Sequence, residues 1–157
     1  MDKLREFWNL RSHRGFTLIE LLVVVAIVGI VSALSIAAFG NALDKGKQKR
    51  TMMDLHSIGE ATEAYSIDHS TYPVGMANWA MMRPLISPFF IREPPDADGW
   101  AKDWIAATDA AGKNYSLVSL GKDGIQGSWT GGMTTSFTCD IVFSNGQFFQ
   151  WPQGTQQ

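Results

Sequence analysis

At 157 residues and a net charge of −2, the chain is long enough for one modest core and too short for two. The charge is laid out unevenly: basic residues gather in the first 15 positions and at 45–50, while beyond residue 50 five basic side chains face eleven acidic ones. That balance excludes a nucleic-acid-binding head, because counterion release needs a basic surface, and the single cysteine, Cys139, excludes an intramolecular disulfide and reads as a small buried apolar residue.

The first element is the apolar run Phe16–Phe39, whose one charge is Glu20. As a helix it spans roughly 36 Å, enough to cross a hydrocarbon core of about 30 Å. A secretory signal has a shorter apolar region, about 7–15 residues, with its small-residue cleavage site behind it. Here the small residue Gly15 stands in front, directly after Arg14. Cleavage between Gly15 and Phe16 would leave the helix on the mature protein, with Phe16 as its new amino terminus. A carboxylate this deep in an apolar helix is costly in a bilayer and asks for a partner. Glu20 either meets the charged α-amine of Phe16 on a neighbouring copy or snorkels at the membrane edge, and the positive end of the helix dipole favours it there.

The helical pattern outlasts the apolar run. Leu55, Ile58, Ala61 or Thr62, and Tyr65 recur every three to four residues, with Asp54, Glu60, Glu63 and Asp68 elsewhere on the wheel. The spacing predicts one helix from about Thr17 to Ser70, ended by Tyr72-Pro73 because proline turns the preceding residue away from helix. The cluster Lys45, Lys47, Lys49 and Arg50 reads as a collar toward lipid headgroups or the acidic face of the next subunit, or as a solvated face. His56 and Glu60 read as a helix-surface pair, having no third ligand.

Between Val74 and Asp98 a short helix is expected around Ala77–Met82, followed by a Pro-rich connection, with Met76, Met81, Met82, Phe89 and Phe90 as core filling. Trp104–Thr108 and Asn114–Leu120 flank turn residues and predict a hairpin. Asp140–Phe143 and Gln147–Trp151 flank Ser144-Asn-Gly146 and predict another. The expected fold is α+β, a long N-terminal helix packed on a small sheet of about four antiparallel strands. No nucleophile–base pair, phosphate loop or metal cluster emerges, so no enzyme is expected.

Arg14-Gly-Phe-Thr-Leu-Ile-Glu20, continuing to Ile30, resembles the leader and first helix of type IV pilins and type II secretion pseudopilins. The resemblance implies cleavage between Gly15 and Phe16 by prepilin peptidase, N-methylation of Phe16, and a role for Glu20 in assembly. It implies a leader at 1–15, a transmembrane helix at 16–39 and a periplasmic pilin-like head at 40–157. The protein would be single-pass in a bacterial inner membrane, with its N-terminus cytoplasmic. Family fibres often unwind this helix between a glycine, here Gly29, and a proline, where this chain has Ala37.

Thr71-Tyr-Pro73, Asp98-Gly-Trp100 and Ser119-Leu-Gly-Lys-Asp-Gly124 are similar, in that order, to the major pseudopilin of type II secretion, whereas Gly99, Ala101, Lys102 and Asp103 depart from it. This second resemblance implies a homopolymer that interacts with membrane lipid, an inner-membrane assembly platform and minor pseudopilins, and drives export of folded proteins. It also implies a calcium loop, onto which the Leu120 carbonyl, Asp123 and Asp140 map. Cys139 stands where a second acidic residue is often found, residues 125–138 hold no carboxylate, and Asp123 also reads as a turn former before Gly124. Asp96, Asp98 and Asp103 faintly resemble a calcium loop without its full spacing. A type IV pilus major or minor pilin, and a membrane-anchored binding protein that never polymerises, stay open as alternatives.

Overall fold

The computed structural model describes residues 15–154 and Gln156. They fall into two units, one ending at Phe39 and the other beginning at Gly40. Helix α1, Leu18–His69, is continuous through both, with no break between Gly29 and Ala37. Its first part is apolar, long enough to cross a membrane and wholly exposed within the chain.

In the second unit α1 lays the expected stripe on a core. Leu55 and Ile58 are fully buried, and Ala61 and Thr62 are both inside. Helix α2, Trp79–Ile86, is capped by the Asn78 side chain, which accepts the Met81 N–H at 3.0 Å. It buries Trp79, Met82 and Ile86, the spacing of a single helix face. Met76 and Phe90 pack against that core, but Met81 and Phe89 do not: one sits off the buried face of α2 and the other in the turn beyond it, and both are exposed.

The sheet has five strands: β1 Ile105–Thr108, β2 Tyr115–Ser119, β3 Gly132–Thr134, β4 Ile141–Ser144 and β5 Gln147–Pro152. Their order across the sheet is β1-β2-β4-β5-β3. Both predicted hairpins are present as antiparallel pairs, and Asn145 and Gly146 take the positive φ angles that a tight turn between β4 and β5 needs. The expectation of about four antiparallel strands misses β3, which pairs parallel to β5 and makes the sheet mixed. Cys139 is half-buried rather than a core residue, because it stands on the connection before β4 and not on the strand's inward face. The core joins Leu55, Ile58 and Ala61 of the helix to Ala106, Tyr115, Leu117, Ile141 and Phe143 of the sheet.

Candidate functional site

The start of α1 is built by a reciprocal pair of hydrogen bonds. Glu20 Oε2 accepts the Thr17 backbone N–H at 2.8 Å and the Thr17 hydroxyl at 2.8 Å, while Thr17 Oγ1 accepts the Glu20 N–H at 3.3 Å. This is a capping box, with Thr17 as the cap and Glu20 at the third helical position. Thr17 is a capping residue that the T-x-x-E spacing before an apolar run signals. Gly15 and Phe16 precede the helix, and Phe16 is exposed. Among the described residues, a β-carbon at Gly15 would meet nothing within 4 Å, so they place no demand for glycine there. The rest of the expected leader, residues 1–14, lies outside the described residues.

In the head, the residues of the second resemblance converge on one polar cluster. Asp98 is buried, and its Oδ1 accepts the backbone N–H groups of Trp100 and Lys102, each at 2.9 Å. Its Oδ2 accepts the Ser119 hydroxyl at 2.6 Å, and Ser119 Oγ accepts the Gly121 N–H at 3.3 Å. Gly99 donates its N–H to Thr51 Oγ1 at 2.9 Å, and a β-carbon there would run into the Lys47 carbonyl of α1, so only glycine admits this approach. Trp100 Nε1 and Lys122 Nζ both reach Asp44, at 3.2 and 2.7 Å. These residues therefore clamp the two loops that flank β1 and β2 to the helix. Asp98 is spent on this structure and Asp96 pairs with Arg83 at 3.1 Å, so they form no metal loop with Asp103.

A second clamp uses the tyrosine of Thr71-Tyr-Pro73. Tyr72 and Tyr115 donate their hydroxyls to the two oxygens of Glu63, at 2.9 and 3.0 Å. Burial, followed by the neighbouring Glu63 carboxylate, pushes the Tyr72 phenol up, and burial pushes Tyr115 strongly in the same direction. Both stay protonated donors at physiological pH. His56 and Glu60 form an exposed helix pair at 3.5 Å.

The three residues mapped onto a calcium loop are placed differently from one another. Asp140 is buried; its Oδ2 accepts the Trp129 indole N–H at 2.6 Å and the Gly127 N–H at 3.0 Å, and its Oδ1 is buried without a partner. Asp123 is exposed and its Oδ1 accepts the Ile125 N–H at 3.0 Å, which is the turn-forming role. Leu120 is half-buried. Among the described residues no three His, Cys, Asp or Glu side chains gather as a metal-holding group. Calcium takes six to eight oxygens, and one orphaned carboxylate oxygen beside N–H donors does not fit that requirement.

Comparison with known proteins agrees with both resemblances. Residues 10–36 match the prokaryotic N-terminal methylation motif, and residues 38–134 match the family described as type II secretion system (T2SS), protein G. Relatives called type II secretion system core protein G include one from Escherichia coli K12, 26% identical, with the match covering 74% of this chain and 87% of the relative. One from Pseudomonas aeruginosa is 28% identical over 74% of this chain and 89% of its own length. Another, from Dickeya chrysanthemi, is 29% identical over 73% of each. With its helix cap, its Asp98 clamp and a family match running from the helix into β3, this chain belongs to the type II secretion system protein G family.

Proposed function

We propose that the chain is a structural subunit of a type II secretion pseudopilus, polymerising from the inner membrane to drive export of folded proteins. The carrying observation is the family match over residues 38–134, joined to a methylation motif at 10–36 and an exposed apolar helix. Prepilin peptidase cuts between Gly15 and Phe16, Phe16 is methylated, and the span holds the N-terminus on the cytoplasmic side with the head in the periplasm. The peptidase accounts for the glycine at 15, since no neighbour among the described residues requires it. In the fibre, the freed Phe16 amine of one copy meets the Glu20 carboxylate of the next, in surroundings where Coulomb attraction far exceeds that in water. The same subunit engages an inner-membrane platform and minor pseudopilins.

The capping box dictates how to test this. Glu20→Gln keeps an oxygen for the Thr17 N–H and removes only the charge. Mass spectrometry of the wild type from a secreting host should give methylated Phe16 as the N-terminus, and Glu20→Gln should insert and be processed while fibre yield falls at least about tenfold. A mature chain beginning at Met1, or normal fibres from Glu20→Gln, would overturn the reading.

A further inference from the structure

The loop between β2 and β4 is where the chain departs furthest from its resemblance, and its side chains supply a closure of their own. The buried carboxylate of Asp140 is met by two N–H donors that converge on Oδ2, the Trp129 indole at 2.6 Å and the Gly127 backbone at 3.0 Å. Both present the positive ends of their dipoles to the oxygen a cation would approach, and both would be repelled by one. The neighbouring backbone is tied down as well. Gln150 of β5 donates to the Asp140 carbonyl at 2.9 Å, and its own side-chain oxygen accepts the Thr130 N–H at 3.2 Å. At the loop's other end, Lys122 N–H meets the Phe137 carbonyl at 2.8 Å. The Lys102 side chain also lies over Gly124, bringing an ammonium group beside the turn. Lys102 is one of the positions where the sequence departs from the family pattern, and an ammonium there disfavours a second cation nearby.

We propose that residues 121–140 are closed by a Trp129–Asp140 latch, reinforced by Gly127 and Gln150, which takes the place of a divalent cation and makes the head's stability independent of calcium. The loop then folds with the rest of the chain.

Thermal unfolding of the processed full chain in detergent, with about 5 mM calcium or with chelator, tests the latch; that concentration exceeds the roughly 10⁻⁴–10⁻³ M affinity of extracellular calcium modules. The wild type should melt at the same midpoint in both, within about 1 °C. Trp129→Phe keeps the ring and removes the donor, and should lower the midpoint by about 5 °C in both solutions alike. A wild-type midpoint raised several degrees by calcium, or a Trp129→Phe variant that melts like the wild type, would overturn the proposal. Should that variant fail to fold, equilibrium dialysis of the wild type against radioactive calcium decides. One ion bound per chain with Kd below about 1 mM refutes the latch, and no binding at that level supports it.

Discussion

Seventy-eight residues separate Asp44 from Lys122, and a charge-assisted hydrogen bond of 2.7 Å joins them. The Lys122 bond holds the Asp44 carboxyl below the usual carboxylate range, helped by Trp100 and Lys47 and opposed by desolvation. A depressed carboxyl stabilises the fold above its unfolded value, about 3.9, and that contribution is lost as pH falls through the lower folded value. Asp54 runs the other way: burial raises it, against the pull of Arg50, so its protonation relieves a cost as the solution is acidified. Asp44→Asn should therefore lower the melting midpoint by about 3 °C at pH 7, and the difference from wild type should close only as pH falls through the lowered folded value, where the wild-type carboxyl also becomes neutral. Thermal scans at several pH values check this. The sequence made Asp98, Trp100 and Ser119 visible as a motif, but not that Trp100 and Lys122 reach Asp44 or that Gly99 reaches Thr51. Hydrogen-bond partners far apart in the chain leave no periodic trace. Trp129 was equally silent, since a tryptophan in a Gly-rich loop reads as exposed or core until its indole N–H is seen on a carboxylate.

Helix α1 carries a matched pair of glycines that separates packing from propensity. A β-carbon on Gly59 would drive into the Phe143 ring, so the sheet approaches the helix closely there because no side chain intervenes. A β-carbon on Gly46 would meet nothing within 4 Å. Gly59→Ala should cost about 1–3 kcal/mol through overpacking, a fall in midpoint of about 5 °C or more, whereas Gly46→Ala should leave stability unchanged or raise it by up to about 1 kcal/mol. Both are read by thermal or denaturant unfolding. The helix was legible because its stripe repeats over many turns, and the hairpins because turn chemistry lies between β-prone runs. Strand β3 was not legible. Its three residues, Gly132-Met-Thr134, are too few to display a sequence period, and their strand character comes from pairing with β5 alone. The end of α2 was misplaced for a related reason: Pro84 sits inside it and, read from sequence, argues for an earlier stop.

For the whole molecule, α+β class, long apolar helix and family were all readable, since each rests on long patterns or on a run of matched residues. What was hidden is how the C-terminal region is held. Buried Gln156 accepts from the Gln48 side chain at 3.2 Å and donates to the Thr134 carbonyl at 2.8 Å, fastening it to both α1 and β3. A fibre brings many copies of one chain together, and that crowding gives β3 a second significance. Without it, β5 would be the sheet's outermost ladder, and Gln147-Phe-Phe-Gln-Trp-Pro152 carries three aromatic rings and no charge. An open edge rich in aromatic rings and free of charge invites pairing with another chain. Consecutive prolines at Met133 and Thr134 remove an N–H aimed at β5 whichever way the strand faces, since successive N–H groups alternate in direction. Met133→Pro/Thr134→Pro should turn concentrated protein thioflavin-positive within hours, while the wild type stays clear. Strand β3 thus covers a ladder that would otherwise stand open to the neighbouring copies.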